Sequence, residues 1–238
     1  MSYYYRSGSS LSFGFPVTPV IKKLIIANVA VFLLQFFASY KIIYFFGLVP
    51  YMVIREFYFW QLFTYQFLHG GLFHIFFNML ALWMFGGDLE RIWGSAFFLK
   101  YYLLCAVGAG ICTVIFLPTS ISPTIGASGA IYGILMAYGM IFPDRMVYLY
   151  FLFPIKVKHF VILMGSVALF SSMSASGNGI AHITHLGGMI FGYLYLKNWD
   201  IKEIFRQAYL KLKYHRLKRK LRVISKDDDQ NNDKPYYH

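Results

Sequence analysis

Long apolar runs separated by short polar breaks dominate this chain, and their lengths predict its elements. Leu24 to Ser39 is the first run, preceded by Lys22 and Lys23, and further runs cover about 72–87, 96–117, 125–142, 159–172 and 181–196. Six membrane-spanning helices are therefore predicted, the fifth short beside the ~20 residues that cross a bilayer upright. Residues 40–71 are aromatic and semi-apolar, broken by Pro50, Arg55 and Glu56, and end in His69-Gly70-Gly71. They fit an interfacial loop with short helices better than a clean span. Residues 1–17 are rich in Tyr, Ser and Gly and read as a flexible tail. The expected architecture is all-α and polytopic, with a membrane domain over 18–199 and a tail over 200–238.

Composition supports this. The 238 residues are 58% hydrophobic and 13% charged, roughly half the charge of a soluble domain. The net charge of +12 is uneven: ten of the 22 Lys and Arg residues fall between Lys197 and Arg222. That distribution describes a basic tail on a membrane body rather than a nucleic-acid-binding surface. In the tail, Ile201, Ile204, Phe205, Ala208 and Leu212 recur at helical spacing, which predicts a helix lying on anionic lipid. Residues 227–238 are expected to be disordered. Cys105 and Cys112, seven apart in one run, would sit ~10 Å from each other on a helix, too far for a disulfide. They read as packing residues.

The loops differ by charge. Segments 118–124 and 173–180 carry none, whereas 88–95, 143–158 and the tail contain Arg91, Arg145, Lys156, Lys158 and the basic cluster. The positive-inside bias places both termini in the cytoplasm, and a bacterial inner membrane is the expected location. Even-numbered spans then start on the outer side. Near those starts lie His69, His74 and Asn78; Ser128; and His182 and His185. Polar groups at that depth face the bundle or a water-filled cavity.

Within Ile125-Gly126-Ala127-Ser128-Gly129-Ala130-Ile131-Tyr132-Gly133, one serine stands among glycines at the head of an apolar helix. Gly129 and Gly133 make a small-x-x-x-small face for close helix contact. Free N–H groups at a helix start suit a developing oxyanion. Taken alone, the stretch reads equally as a packing helix whose serine bonds its own backbone. The rest of the chain narrows the chemistry. No His-Glu-x-x-His string provides a zinc site, and no acidic residue falls in mid-span to form an aspartyl pair. Serine chemistry with a histidine base remains, with no metal or cofactor. A transporter would want an ionisable midplane residue, which is lacking.

These motifs resemble those of the rhomboid intramembrane serine proteases. His69-x4-His74-x3-Asn78, Gly126-x-Ser128-Gly129 with Tyr132 one turn on, and His185-x-x-Gly188-x-x-x-Gly192 occur in that family's order, over roughly residues 20–197. The resemblance implies a six-helix rhomboid-like bundle in which Ser128 is the nucleophile and His185 the general base, with Tyr132 beside it. Single-span membrane proteins are the implied substrates, cut near the outer membrane face, with the fifth span as a lateral gate. His74 and Asn78, four apart on one helix face, are expected to hold an oxyanion together with the Ser128 N–H. His69 is expected to act as a structural hydrogen-bonder. Of the two candidate bases, His185 is favoured because Gly188 and Gly192 lie on its side and let it approach span 4. His182 is expected to be a solvated loop-end residue. Activity should fall at acidic pH as His185 protonates. One departure concerns the outer loop, where many members carry Trp-Arg and this chain reads Trp60-Gln61, which puts the loop's stability in question. The alternative function is a non-proteolytic rhomboid-like protein that binds membrane helices.

Overall fold

The computed structural model describes residues 17–37, 41–149, 152–173 and 181–198. The expected N-terminal tail up to residue 16 and the basic tail 200–238 lie outside the described residues. Contacts divide the chain into Met1–Tyr193 and Leu194–His238; every candidate site residue lies in the first unit.

The chain is mostly helical. Helix α1 covers Pro19–Phe37. The short helices α2 (Lys41–Phe46), α3 (Pro50–Arg55) and α4 (Gln61–Thr64) follow, as expected for the interfacial loop. Helix α5 (Leu72–Ala81) continues through a π-helical turn at Leu82–Gly86 into α6 (Gly87–Trp93). Helix α7 is Ser95–Phe116, α8 is Ser128–Ile141, α9 is Val157–Ser172 and α10 covers 181–198. Three helical stretches, Pro19–Phe37, Leu72–Trp93 and Ser95–Phe116, are long and apolar enough to cross a membrane, and α8 and α9 are shorter apolar helices.

Helix α7 forms the spine of the core. Phe98, Tyr101, Tyr102, Cys105, Ala109 and Cys112 recur at three- and four-residue spacing along its buried face, the period that keeps side chains on one side. Tyr101 donates to the Gly133 carbonyl at 2.7 Å, and the Tyr65 hydroxyl donates to the Ala106 carbonyl at 2.7 Å. Both cysteines are free and buried.

Three expectations need correction. The segment 88–95 is not a loop: the helix runs on to Trp93, and Gly94 turns the chain at φ +78°. Glu90 is buried there and accepts bonds from the backbone N–H groups of Val20 (2.9 Å) and Ile21 (3.1 Å), from Ser95 Oγ (2.6 Å) and from Thr18 Oγ1. It satisfies amides at the start of α1 that the helix itself leaves open. The all-α expectation misses a hairpin between α8 and α9, in which β1 (Met146–Leu149) pairs antiparallel with β2 (Phe153–Lys156). The Trp60-Gln61 loop, whose stability the departure put in question, is tied down by hydrogen bonds of the buried glutamine. Gln61 is fully buried; its Oε1 accepts from Val49 N–H at 2.9 Å and its Nε2 donates to the Tyr44 carbonyl at 2.7 Å. The amide thereby ties α4 to the turns around α2 and α3.

Candidate active site

Helix α8 begins at Ser128, so the hydroxyl sits at the helix N-terminus, where the first N–H groups lack intrahelical partners and the dipole favours negative charge. The preceding loop is held by backbone bonds. Leu48 and Thr124 exchange N–H···O bonds of 2.9 and 2.8 Å, and Gly126 N–H donates to the Tyr65 carbonyl at 3.0 Å. Gly126 takes φ +120°, a conformation side chains rarely adopt. A methyl group there would lie 2.7 Å from His74 Nε2 and 3.8 Å from Ser128 Oγ. Its missing side chain keeps open the space between Ser128 and the His74 imidazole.

Ser128 and His185, 57 residues apart in sequence, are brought together, with His185 Nε2 2.8 Å from Ser128 Oγ. The Tyr132 ring lies parallel to the imidazole, with centroids 4.2 Å apart and planes 4° from parallel. Gly188 packs on the Gly129 backbone, and a side chain at Gly192 would come 3.1 Å from Gly133 Cα. The glycine faces of α8 and α10 therefore meet as expected. Gly129 and Gly133 also press on Ala109 and Cys105 of α7, a neighbour the sequence did not indicate. Thr113 of α7 and Thr184 of α10 share a buried hydroxyl bond of 2.7 Å.

On α5, His74 Nδ1 accepts the Gly70 N–H at 3.2 Å. The ring proton is thereby directed to Nε2, the nitrogen facing Gly126. Asn78 is buried and spends one amide proton on the His74 carbonyl at 2.8 Å; its NH₂ group carries a second. His69 is held mainly through its backbone. Gln35 of α1 accepts from His69 N–H at 3.0 Å and donates to its carbonyl at 3.1 Å. The His69 ring packs edge-on against His74 with centroids 5.0 Å apart. The sequence did not single out Gln35. His182 lies within α10 rather than at a loop end and is half-buried, with its Nδ1 buried and its ring packed edge-on against His185 at 5.8 Å. Among the described residues, no cluster of three or more His, Cys, Asp or Glu could hold a metal.

Three apolar helices long enough to cross a bilayer, in a bundle whose α8 and α10 bring a serine and a histidine together, define an integral membrane protein with a polar pair in its bundle. The family model for the Rhomboid domain matches residues 56–197, and this chain belongs to the rhomboid family. It is 32% identical over 142 residues to Rhomboid protein 1, mitochondrial, of Saccharomyces cerevisiae, covering 58% of this chain and 40% of that one. It is 35% identical over 135 residues to Rhomboid protease GluP of Bacillus subtilis, covering 56% and 25%. With Rhomboid protease GlpG of Pectobacterium atrosepticum the identity is 27% over 182 residues, covering 76% and 63%. The matches thus span less than two thirds of each relative's length.

Proposed function

We propose that this chain is an intramembrane serine endopeptidase that cuts single-span membrane proteins near the outer face of the membrane. The observation that carries the reading is the 2.8 Å approach of His185 Nε2 to Ser128 Oγ with Tyr132 stacked on the imidazole. Ser128 Oγ attacks the peptide carbonyl while His185 Nε2 takes its proton. The oxyanion is held by His74 Nε2–H, the Asn78 amide and the Ser128 N–H. His185 returns the proton to the leaving amine, and an acyl-enzyme remains. Water from the outer side hydrolyses this ester with His185 again as base. A substrate helix has to unwind locally to offer its carbonyl, which Gly or Pro in the substrate eases.

The reading includes six spans, with α1, α5–α6, α7, α8, α9 and α10 each crossing, both termini in the cytoplasm of a bacterial cell, and the basic tail on anionic lipid. The membrane domain corresponds to 18–199. The relatives named as proteases support the activity, and the loop charges support the orientation.

The test is cleavage of a panel of fluorescent single-span substrates by the reconstituted protein, with Ser128→Ala and His185→Ala beside it. Loss of cleavage and of fluorophosphonate labelling in both variants is expected. A wild type that cuts nothing, yet retains membrane helices as well as Ser128→Ala does, would replace the protease by a binding protein.

A further inference from the structure

The hairpin between α8 and α9 is apolar on both sides. Cα pairing sets Met146 against Lys156, Val147 against Ile155 and Tyr148 against Pro154, and directly opposed residues share a side. One side of the ribbon carries Met146, Tyr148, Pro154 and Lys156, all exposed; the other carries Val147 and Ile155, both half-buried, and the exposed Phe153. Leu152 and Phe153 at the distal end are 73% and 66% exposed. A hairpin facing water normally alternates apolar and polar positions, and two strands alone are marginally stable there. Among the described paired residues only Lys156, at the base of the ribbon, is charged.

Its base is fixed and cationic. Val157 N–H donates to the Arg145 carbonyl at 2.8 Å and Lys158 N–H to the Pro143 carbonyl at 3.1 Å. Arg145 pairs with Asp88 at 2.6 Å, which ties the ribbon to α6. Lys156 and Lys158 share the single carboxylate of Asp144 at 3.3 and 2.8 Å, leaving one net positive charge and spare ammonium protons. Exposed Tyr and Met beside Lys, next to the ends of two apolar helices, match the composition of segments that sit at a lipid interface.

We propose that this hairpin dips its distal end into the membrane interface as an anchor for anionic lipid, with Tyr148 and Phe153 on opposite sides of the ribbon and Leu152 beside them in the interfacial layer, and with Lys156 and Lys158 at the base on headgroup phosphates. It rests on α8 and α9 crossing the bilayer and goes beyond the proposed proteolysis. The test uses the full chain in phosphatidylcholine vesicles with and without phosphatidylglycerol. Spin labels go at Tyr148→Cys and Phe153→Cys, with Phe170→Cys on the exposed side of α9 as a span control and the unsubstituted protein, whose cysteines are buried, as the labelling blank. Collisions with oxygen should exceed those with a polar nickel complex at 148, 153 and 170. Lys156→Gln and Lys158→Gln should reduce the seated population about fivefold per ammonium removed, only where phosphatidylglycerol is present. Preferential nickel access at 148 and 153 while 170 stays in lipid overturns the anchor, and nickel access at 170 overturns the span beneath it. Protection that fades as protein is diluted in lipid assigns the surface to a second copy and overturns it too. So does protection indifferent to both lysines in phosphatidylglycerol.

Discussion

Replacing Gly126 by alanine tests the space between Ser128, the proposed nucleophile, and His74, the proposed oxyanion donor. The new methyl would sit 2.7 Å from His74 Nε2 and 2.8 Å from its Cε1, whereas ordinary contact begins at 3.4 Å. The imidazole has to retreat by about 0.7 Å, a shift drawn from those same distances, or the loop has to open. Either movement misaligns a donor whose loss typically costs ~10²–10³ in turnover, about 3–4 kcal/mol of transition-state stabilisation. The φ of +120° adds backbone strain of about 1–3 kcal/mol. Turnover and stability should therefore fall by different amounts. Cleavage should drop at least ~10²-fold, while thermal unfolding moves only about 2–12 °C, at roughly 2–4 °C per kcal/mol for a chain of this size. The assay pairs kcat/KM on a reconstituted single-span substrate with thermal unfolding of the same preparation. An alanine variant that folds and cleaves at the wild-type rate would refute the reasoning.

Further outcomes follow from other contacts. Gly188→Ala drives a methyl into the Gly129 backbone, so α10 has to part from α8 and cleavage should fall ~10²-fold; Gly165→Ala meets only the flexible end of Met189 and should retain it. Gln61→Leu leaves Val49 N–H and the Tyr44 carbonyl without their amide partner and should cost about 2–5 kcal/mol in an unfolding titration. Glu90→Gln weakens a four-donor carboxylate site and should cost about 3 kcal/mol by the same measurement. The ammonium groups of Lys158 and Lys156 hold the Asp144 carboxyl below its usual range. This contribution is present above the unfolded-state pKa of Asp144 and is lost as pH falls through the depressed folded value. The protection factors of the β1 and β2 amides, taken relative to the intrinsic exchange rate at each pH, should therefore fall on acidification in wild type and less so in Asp144→Asn.

The spacing of small and polar residues carried much of the site. His74 and Asn78 at four residues define a face, and Gly188 and Gly192 single out the side of α10 that approaches α8; these spacings, together with the resemblance to the rhomboid family, pointed to Ser128 and His185. Contacts through backbone atoms were less legible. Gln35 holds the peptide of His69 from 34 residues away, and Glu90 caps amides 70 residues away; a side chain bonding to main-chain groups leaves no residue signature at its target. The hairpin was hidden for another reason. Its strands are apolar on both sides, so the period of two that marks a half-buried strand is absent from 143–158. His182 misled because proximity to a loop in sequence does not determine which way a ring turns once the first helical turn forms.

Orientation of His185, the proposed base, is the physical problem that this arrangement addresses. In a soluble triad a buried carboxylate bonds the far nitrogen of the imidazole and fixes its tautomer and angle. Among the described residues His185 Nδ1 has no hydrogen-bond partner, so the constraint has to come from packing. Tyr132 lies flat against the ring at 4.2 Å and removes rotation out of its plane. His182 closes one edge at 5.8 Å, while Gly188 on the Gly129 backbone sets the distance from α10 to α8. Interiors are packed tightly enough to transmit sub-ångström shifts, so these contacts fix ring position at the scale of the 2.8 Å Ser128 bond. Tyr132→Phe should then cleave close to the wild-type rate, since the stacking face survives. Tyr132→Ala should lose about tenfold or more in kcat as the imidazole gains freedom. Equal losses in both variants would show that the phenol oxygen, not the stacked face, does the positioning.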